Sequence, residues 1–457
     1  MTSLKTTNKE ILRLAVPSIL ANVTIPLVGI VDTAIVGHLS DAAAIGGIAI
    51  GTMLFDLLYW NFGFLRVGTS GLTAQAYGKG QKDDVRCTKV PEECGKILRQ
   101  SVTIAMVAAL AIWAIQWLFV TVVLALVPCS DEVASVAREY FYVRIWAAPA
   151  TLSLFALKGW FIGMQDTRSP MAVDILVNVV NMAASYYLAV HTPLGVVGVA
   201  WGTLIAQYSG LLLAGVIVLS HYTGLTLFRD LDAWRAAMRW TEIKRMMALN
   251  GNLFIRSLCF MVIYVGFTSI ASLYGDTELA VSSIIMKLFM FFSYFVDGFA
   301  YAGEALVGKA FGENLSSVIL SREEDKLKAV VRTLFNWSIG VGLVFTAIYA
   351  VWGDECMALM TNDSDVLLAA EQYMGWLIAM PIVSALAFMW DGIYVGATAG
   401  IPIRNAMIWA AVAFVGLYAA ISPYCGTQAL YIAYFAHLAA RVIYLTGKWK
   451  TVESSGI

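Results

Sequence analysis

The chain has 457 residues, 60 % of them hydrophobic and only 13 % charged, about half the ~25 % charge of an ordinary soluble domain. Its 30 basic side chains nearly balance 31 acidic ones, so the total carries no basic footprint for nucleic acid. This composition excludes a soluble multidomain enzyme, a disordered chain, a coiled coil and a disulfide-stapled secreted module. What remains is a polytopic membrane protein.

A spanning helix needs ~20 apolar residues. The sequence supplies about twelve such stretches, at 11–36, 43–65, 102–127, 138–162, 171–190, 195–219, 247–272, 279–303, 329–352, 366–390, 404–422 and 427–446. They are continuously apolar and lack the period-two alternation of a lipid-facing strand, so an all-α membrane protein is expected rather than a barrel. Met1–Glu10 is polar and basic and the first run is long enough to span, so no cleavable signal is expected. Six cysteines show no CxxC spacing. Cys129 and Cys356 fall in corresponding loops, but spacing does not establish the approach a bridge needs, and free thiols are expected.

Charge orients the spans. The odd-numbered connections, from His38–Ala42 through Pro128–Ala137 to Pro423–Gly426, contain no Lys or Arg, whereas the even-numbered ones and both termini are rich in them. Positive charge stays in the cytoplasm, so both termini are expected inside, in the plasma (inner) membrane.

Two stretches repeat. VGTSGLTAQAYG (Val67–Gly78) follows the second span and YAGEALVGKAFG (Tyr301–Gly312) the eighth, an offset of 301 − 67 = 234. GWFIG (Gly159–Gly163) answers GIYVG (Gly392–Gly396) at 392 − 159 = 233. The reading is two six-helix lobes, 1–219 and 246–457, joined by a basic cytoplasmic linker, 220–245, that carries a surface helix. Two like-oriented bundles are the layout of an alternating-access carrier.

These motifs, together with IVDTAIVGHL (Ile30–Leu39), FLRVGTSGLTAQAYGKG (Phe64–Gly80), GWFIGMQDTRSP (Gly159–Pro170) and the Asp391–Met407 stretch, resemble the multidrug and toxic compound extrusion (MATE) family, and within it the DinF-like branch. The resemblance covers nearly the whole chain. It implies a cation-coupled antiporter that exports organic, often cationic, compounds, with H⁺ or Na⁺ as the coupling ion and no other cofactor. It also implies an N-lobe cation site on residues matched here by Asp32, Asn181 and Thr203, and a first-span proline matched by Pro17, a candidate hinge. The family has an aspartate where this chain has Ser185; that loss shifts the expectation from Na⁺ toward H⁺.

Ionisable residues inside spans cost ~2.5–3.5 kcal/mol on insertion scales and are functional candidates by default. Asp32 has no cation nearby in its own span. In the fifth span Asp174, Asn178, Asn181 and Ser185 fall at i, i+4, i+7 and i+11, one helix face. Counted from the outer ends, Asp32, Asn181, Ser185 and Thr203 reach similar depth. Asn178 divides evenly between a coupling role and a plain interhelical hydrogen bond, and Asp174 is expected to snorkel. In the eighth span Lys287, Tyr294, Asp297, Tyr301 and Glu304 share a face, read as a paired network or as a cation-receiving surface. Asp56, Arg144, Arg256 and Asp391 are further candidates. Lys158 and Asp391 occupy equivalent positions (391 − 158 = 233), which invites an inter-lobe ion pair. Trp60, Phe289, Phe291, Phe292 and Phe295 read either as an aromatic cavity or as ordinary packing, and packing is the expectation.

No HExxH, GxSxG or phosphate-binding GxxxxGK[ST] motif occurs, so an enzyme and ATP hydrolysis are not expected. The expected partners are a small organic substrate and the bilayer, no metal beyond a candidate Na⁺ at Asp32, Asn181 and Thr203, and no second subunit. The alternative is a flippase for lipid-linked precursors of the same superfamily.

Overall fold

The computed structural model describes residues 2–39, 42–83, 90–127, 129–222, 231–314 and 320–455. The described residues are 93 % helical. In order the helices are α1 (Thr2–Leu39), α2 (Ala42–Trp60), α3 (Phe64–Asp83), α4 (Glu92–Leu126), α5 (Asp131–Arg144), α6 (Ala148–Gly163), α7 (Arg168–His191), α8 (Gly195–His221), α9 (Leu231–Ala237), α10 (Trp240–Ala271), α11 (Asp276–Asn314), α12 (Leu320–Ala358), α13 (Ser364–Ala370), α14 (Met374–Gly396), α15 (Gly400–Cys425) and α16 (Gln428–Ser455). Among the described residues 11 helical segments are long and apolar enough to cross a membrane. They answer the second to twelfth expected spans, and α1, with 38 residues, answers the first.

Three expected spans are interrupted, each for a local reason. The second breaks after Trp60, where the Asn61 amide donates to the Leu57 carbonyl at 2.9 Å and the chain turns through Gly63. The fourth passes through a 3₁₀ turn, Ile145–Ala147, immediately before the Pro149 at the start of α6. Proline lacks the N–H that a continuous helix would use. The tenth carries a similar turn, Glu371–Tyr373. By contrast α1 runs helical through Pro17.

The acidic residues of the Lys/Arg-free connections have structural work at helix starts. Asp131 and Glu132 open α5, Asp276 and Glu278 open α11, and Asp363 caps α13 by accepting from the Asp365 N–H at 2.9 Å. Carboxylates stabilise helix N-termini by meeting unpaired N–H groups and the positive end of the dipole.

The chain divides into two compact units, Leu20–Met246 and Met1–Ile19 with Met247–Ile457. The contacts thus group residues 1–19 with the C-terminal helices and 220–246 with the N-terminal ones, and the division falls two residues after Pro17. The core of the N-terminal unit is built around Phe55, stacked on Phe141 at 4.9 Å, with Leu54, Leu65 and Leu152. That of the C-terminal unit gathers Phe289, Phe292 and Phe345 with Tyr431 and Tyr434. Phe289 and Phe292 are buried there, Phe295 packs on Phe345 at 5.0 Å, and Phe291 is exposed. These rings pack on one another and on Phe345.

The repeat is a repeated helix crossing. A Cβ on Gly159 would fall 2.2 Å from the Arg66 carbonyl oxygen, and one on Gly163 would fall 2.7 Å from that of Ser70. In the other unit a Cβ on Gly392 would fall 2.4 Å from the Ala300 oxygen, and one on Gly396 2.8 Å from that of Glu304. The partner offsets are 300 − 66 = 234 and 304 − 70 = 234. Small residues four apart let two membrane helices approach to backbone contact, so α6 crosses α3 as α14 crosses α11. Cys94, Cys129, Cys259, Cys356 and Cys425 are all free thiols.

Candidate functional site

The polar stripe of α7 does not act as one cluster. Asp174 forms an ion pair with Lys158 of α6 rather than snorkelling. One turn on, Asn178 donates to Thr24 Oγ1 of α1 at 2.6 Å, and Thr24 in turn donates to the Ala21 carbonyl at 2.7 Å. Asn181 donates to Thr203 Oγ1 of α8 at 3.0 Å. The stripe climbs about 16 Å from Asp174 to Ser185 at 1.5 Å per residue, so each side chain meets a different neighbour.

Asn181 and Thr203 are the expected pair that the fold brings together, both buried. Thr203 Oγ1 also donates to the Val199 carbonyl at 3.1 Å, while Asn181 Oδ1 is buried with no partner among the described residues. A buried acceptor without a donor is costly. Ser185 is fully buried and turned toward the Val199 carbonyl at 3.4 Å. Gly202 of α8 presses against it, since a Cβ there would lie 2.4 Å from Ser185 Oγ. The serine is therefore a packing position in a tight α7–α8 contact. Asp32 belongs to α1, and its side chain lies outside the described residues.

A second polar group lies in the same unit. Asp56 of α2, Arg144 of α5, Thr52 and Asn178 share a cavity of about 540 Å³ whose other walls are apolar, among them Ile25, Ile48 and Met53. This lies in the range of small-molecule sites, ~300–1,000 Å³. Arg144 is held by the Tyr140 hydroxyl at 2.8 Å and lies 4.6 Å over the Phe55 ring, a cation–π contact. Among the described residues Asp56 enters no ion pair, so the cavity contains a carboxylate and a guanidinium not bonded to each other.

In the C-terminal unit Asp391 is tied to two arginines. Asp391 Oδ2 accepts from Arg256 Nη2 at 2.5 Å and from Arg441 Nη2 at 2.6 Å. The expected Lys158–Asp391 pair is thus replaced, each residue having found its partner in its own unit: Asp174 for Lys158, two arginines for Asp391. Arg441 is 1 % exposed and was not anticipated; the signal was available, because an arginine inside a span must meet an acid or a carbonyl. Lys287 is exposed and enters no ion pair among the described residues. Asp297 lies ten residues further on, about 15 Å along the helix, beyond a lysine's reach. Glu304 is buried, and Tyr294, Asp297 and Tyr301 are half-buried.

Two all-helical units built on one repeated crossing, with polar groups inside the spans, define a multi-pass membrane carrier. The MatE family model matches residues 17–187 and 253–418. DNA damage-inducible protein F of Escherichia coli (strain K12) is 32 % identical over 98 % of this chain and 94 % of its own length. The probable multidrug resistance protein NorM of Bradyrhizobium diazoefficiens is 26 % identical over 85 % of this chain and 90 % of its own. A solved multidrug resistance MATE family transporter in an outward-facing conformation superposes with a TM-score of 0.84 at 17 % identity, covering 98 % of this chain and 96 % of that one; at that identity the likeness speaks for the fold. The chain belongs to the MatE family, on the branch of DNA damage-inducible protein F. It is a multi-pass membrane transporter and not an enzyme.

Proposed function

We propose that the chain is a cation-coupled antiporter, driven by H⁺ rather than Na⁺, that exports organic and often cationic compounds by alternating access. The observation that carries this reading is Asp56: a carboxylate in no ion pair among the described residues, in a cavity of about 540 Å³ with largely apolar walls. Such a site attracts a cation with an apolar body, and Arg144, held by Tyr140, does not neutralise it by contact.

For coupling, Asp32 is the protonation switch, with Asn181 and Thr203 as its neighbours in the site implied by the family pattern. Asn181 spends its amide N–H on Thr203, and only its Oδ1 is left to accept. One free neutral oxygen matches a single proton donor better than a dehydrated Na⁺, a hard cation that seeks several oxygens. With Ser185 turned to Val199, no second carboxylate assists. Alternating access needs each ligand to bind the two states differently, and a carboxylate charged in one state and neutral in the other supplies that difference. Pro17, two residues before the division between the units, is the flexible point of α1. The protein works as a monomer in the plasma (inner) membrane with both termini in the cytoplasm, as the Lys/Arg asymmetry implies.

The test is dye efflux from everted vesicles with the H⁺ and Na⁺ gradients collapsed separately. Efflux that stops only when the H⁺ gradient is lost supports the reading, and Asp32→Asn should abolish it. Unchanged dye accumulation across a broad panel, with the protein present in the membrane, overturns it in favour of the flippase alternative.

A further inference from the structure

The N-terminal unit has a second concavity, unlike the first in every respect. It holds about 660 Å³ and runs between Leu98, Val102 and Met106 of α4, Leu157 of α6, and the Tyr208–Leu219 face of α8. Its lining is almost wholly apolar. Tyr208 to Leu219 is eleven residues, about 16 Å of helix, close to the depth of one leaflet of a ~30 Å hydrocarbon core.

One end of the groove is covered by α9. Trp234 of α9 joins the lining, and α9 is tied down where α4 begins: Gln100 Nε2 donates to the Ala237 carbonyl at 2.8 Å and Lys96 pairs with Glu242. Arg235 and Arg239, both exposed, flank these contacts, and Trp240 beside them is 71 % exposed. Tryptophan and basic side chains beside an apolar surface are the signature of the headgroup level. A third observation is independent of the rim. Arg99, next to Leu98 and one turn before Val102, is 6 % exposed, and its Nε has no hydrogen-bond partner. Among the described residues no acid pairs with it. An unpaired buried guanidinium lacks an anion, and its geometry suits phosphate.

We propose that the groove seats an acyl chain of an anionic phospholipid whose phosphate is received by Arg99, with Arg235 and Arg239 at the rim. The lipid completes the contact between α4, α8 and α9. This site is separate from the Asp56 cavity and does not depend on what is transported.

The test is native mass spectrometry of the full-length protein reconstituted in vesicles of equal phosphatidylcholine and phosphatidylglycerol, then extracted. The wild type should retain phosphatidylglycerol over phosphatidylcholine by about tenfold, the effect of one to two cationic contacts. Arg99→Gln should remove that preference. The exposed double change Arg235→Gln/Arg239→Gln, which puts no buried group at risk, should reduce it severalfold. Gly215→Trp, at a position where a Cβ meets open space, should fill the groove and lower retention of both lipids. Equal retention of the two lipids by the wild type overturns the proposal. So does full displacement by glycerol 3-phosphate, which has a phosphate and no chain, or unchanged retention in Gly215→Trp.

Discussion

The two units share one crossing and hold two of their intramembrane carboxylates, Asp391 and Asp56, in opposite ways. In the C-terminal unit Asp391 is clasped by Arg256 and Arg441, both donating to its Oδ2. In the N-terminal unit Asp56 and Arg144 sit in one cavity without bonding to each other, and Asn181 Oδ1 has no partner. At matched positions the halves even carry opposite signs, Lys158 and Asp391, and each pairs locally. A repeat thus conserves its backbone contact, where a Cβ does not fit, while its polar positions are free to diverge. The tied charges hold helices together, and the untied ones are available for a substrate or a proton.

The sharpest way to break this contrast is to remove Asp391. Asp391→Ala leaves the buried Arg441 and the half-buried Arg256 guanidiniums without their acid and should destabilise the protein by about 3–5 kcal/mol, read as loss of folded material by fluorescence-detected size exclusion. A variant that remains as stable as the wild type would show that the triad does not hold the unit.

A smaller effect tests the shared part. Gly159→Ala and Gly392→Ala each drive a Cβ into backbone and should cost about 1–3 kcal/mol, by similar amounts in the two units. A thermal-shift series in which only one of them matters would mean that the crossing is not equivalent.

Ser185→Asp addresses the idea that restoring the family carboxylate would create Na⁺ dependence. The position is fully buried against Gly202 and the Val199 carbonyl, so the variant should lose about 1–3 kcal/mol of stability without gaining a Na⁺ response. Na⁺-stimulated dye efflux by that variant would contradict the packing argument.

The smallest structural effect, and the most informative functional one, belongs to Asp56→Asn. Because the carboxylate is in no ion pair, stability should change by no more than ~0.5 kcal/mol, whereas efflux of a cationic dye should fall about tenfold for the loss of ~1.4 kcal/mol of attraction. Equal efflux of cationic dyes by the variant would move the substrate site out of this cavity.

Much of the molecule is legible in one dimension. The spans at 102–127 or 404–422, the doubled GxxxG, the acidic helix starts and the family motifs all follow from residue type and spacing, because the cost of burying polar groups in a bilayer and the period of a helix act on each segment by itself. Asn181 with Thr203 was also within reach, since depth counts from two helix ends suffice. What tertiary structure alone decided was the choice of partner: Lys158 for Asp174, Thr24 for Asn178, Val199 for Ser185, two arginines for Asp391. Residues on one helix face have the same direction but different heights, and which neighbour stands at each height depends on how helices cross. That crossing is set where glycine meets backbone, a contact between distant segments that no local pattern encodes.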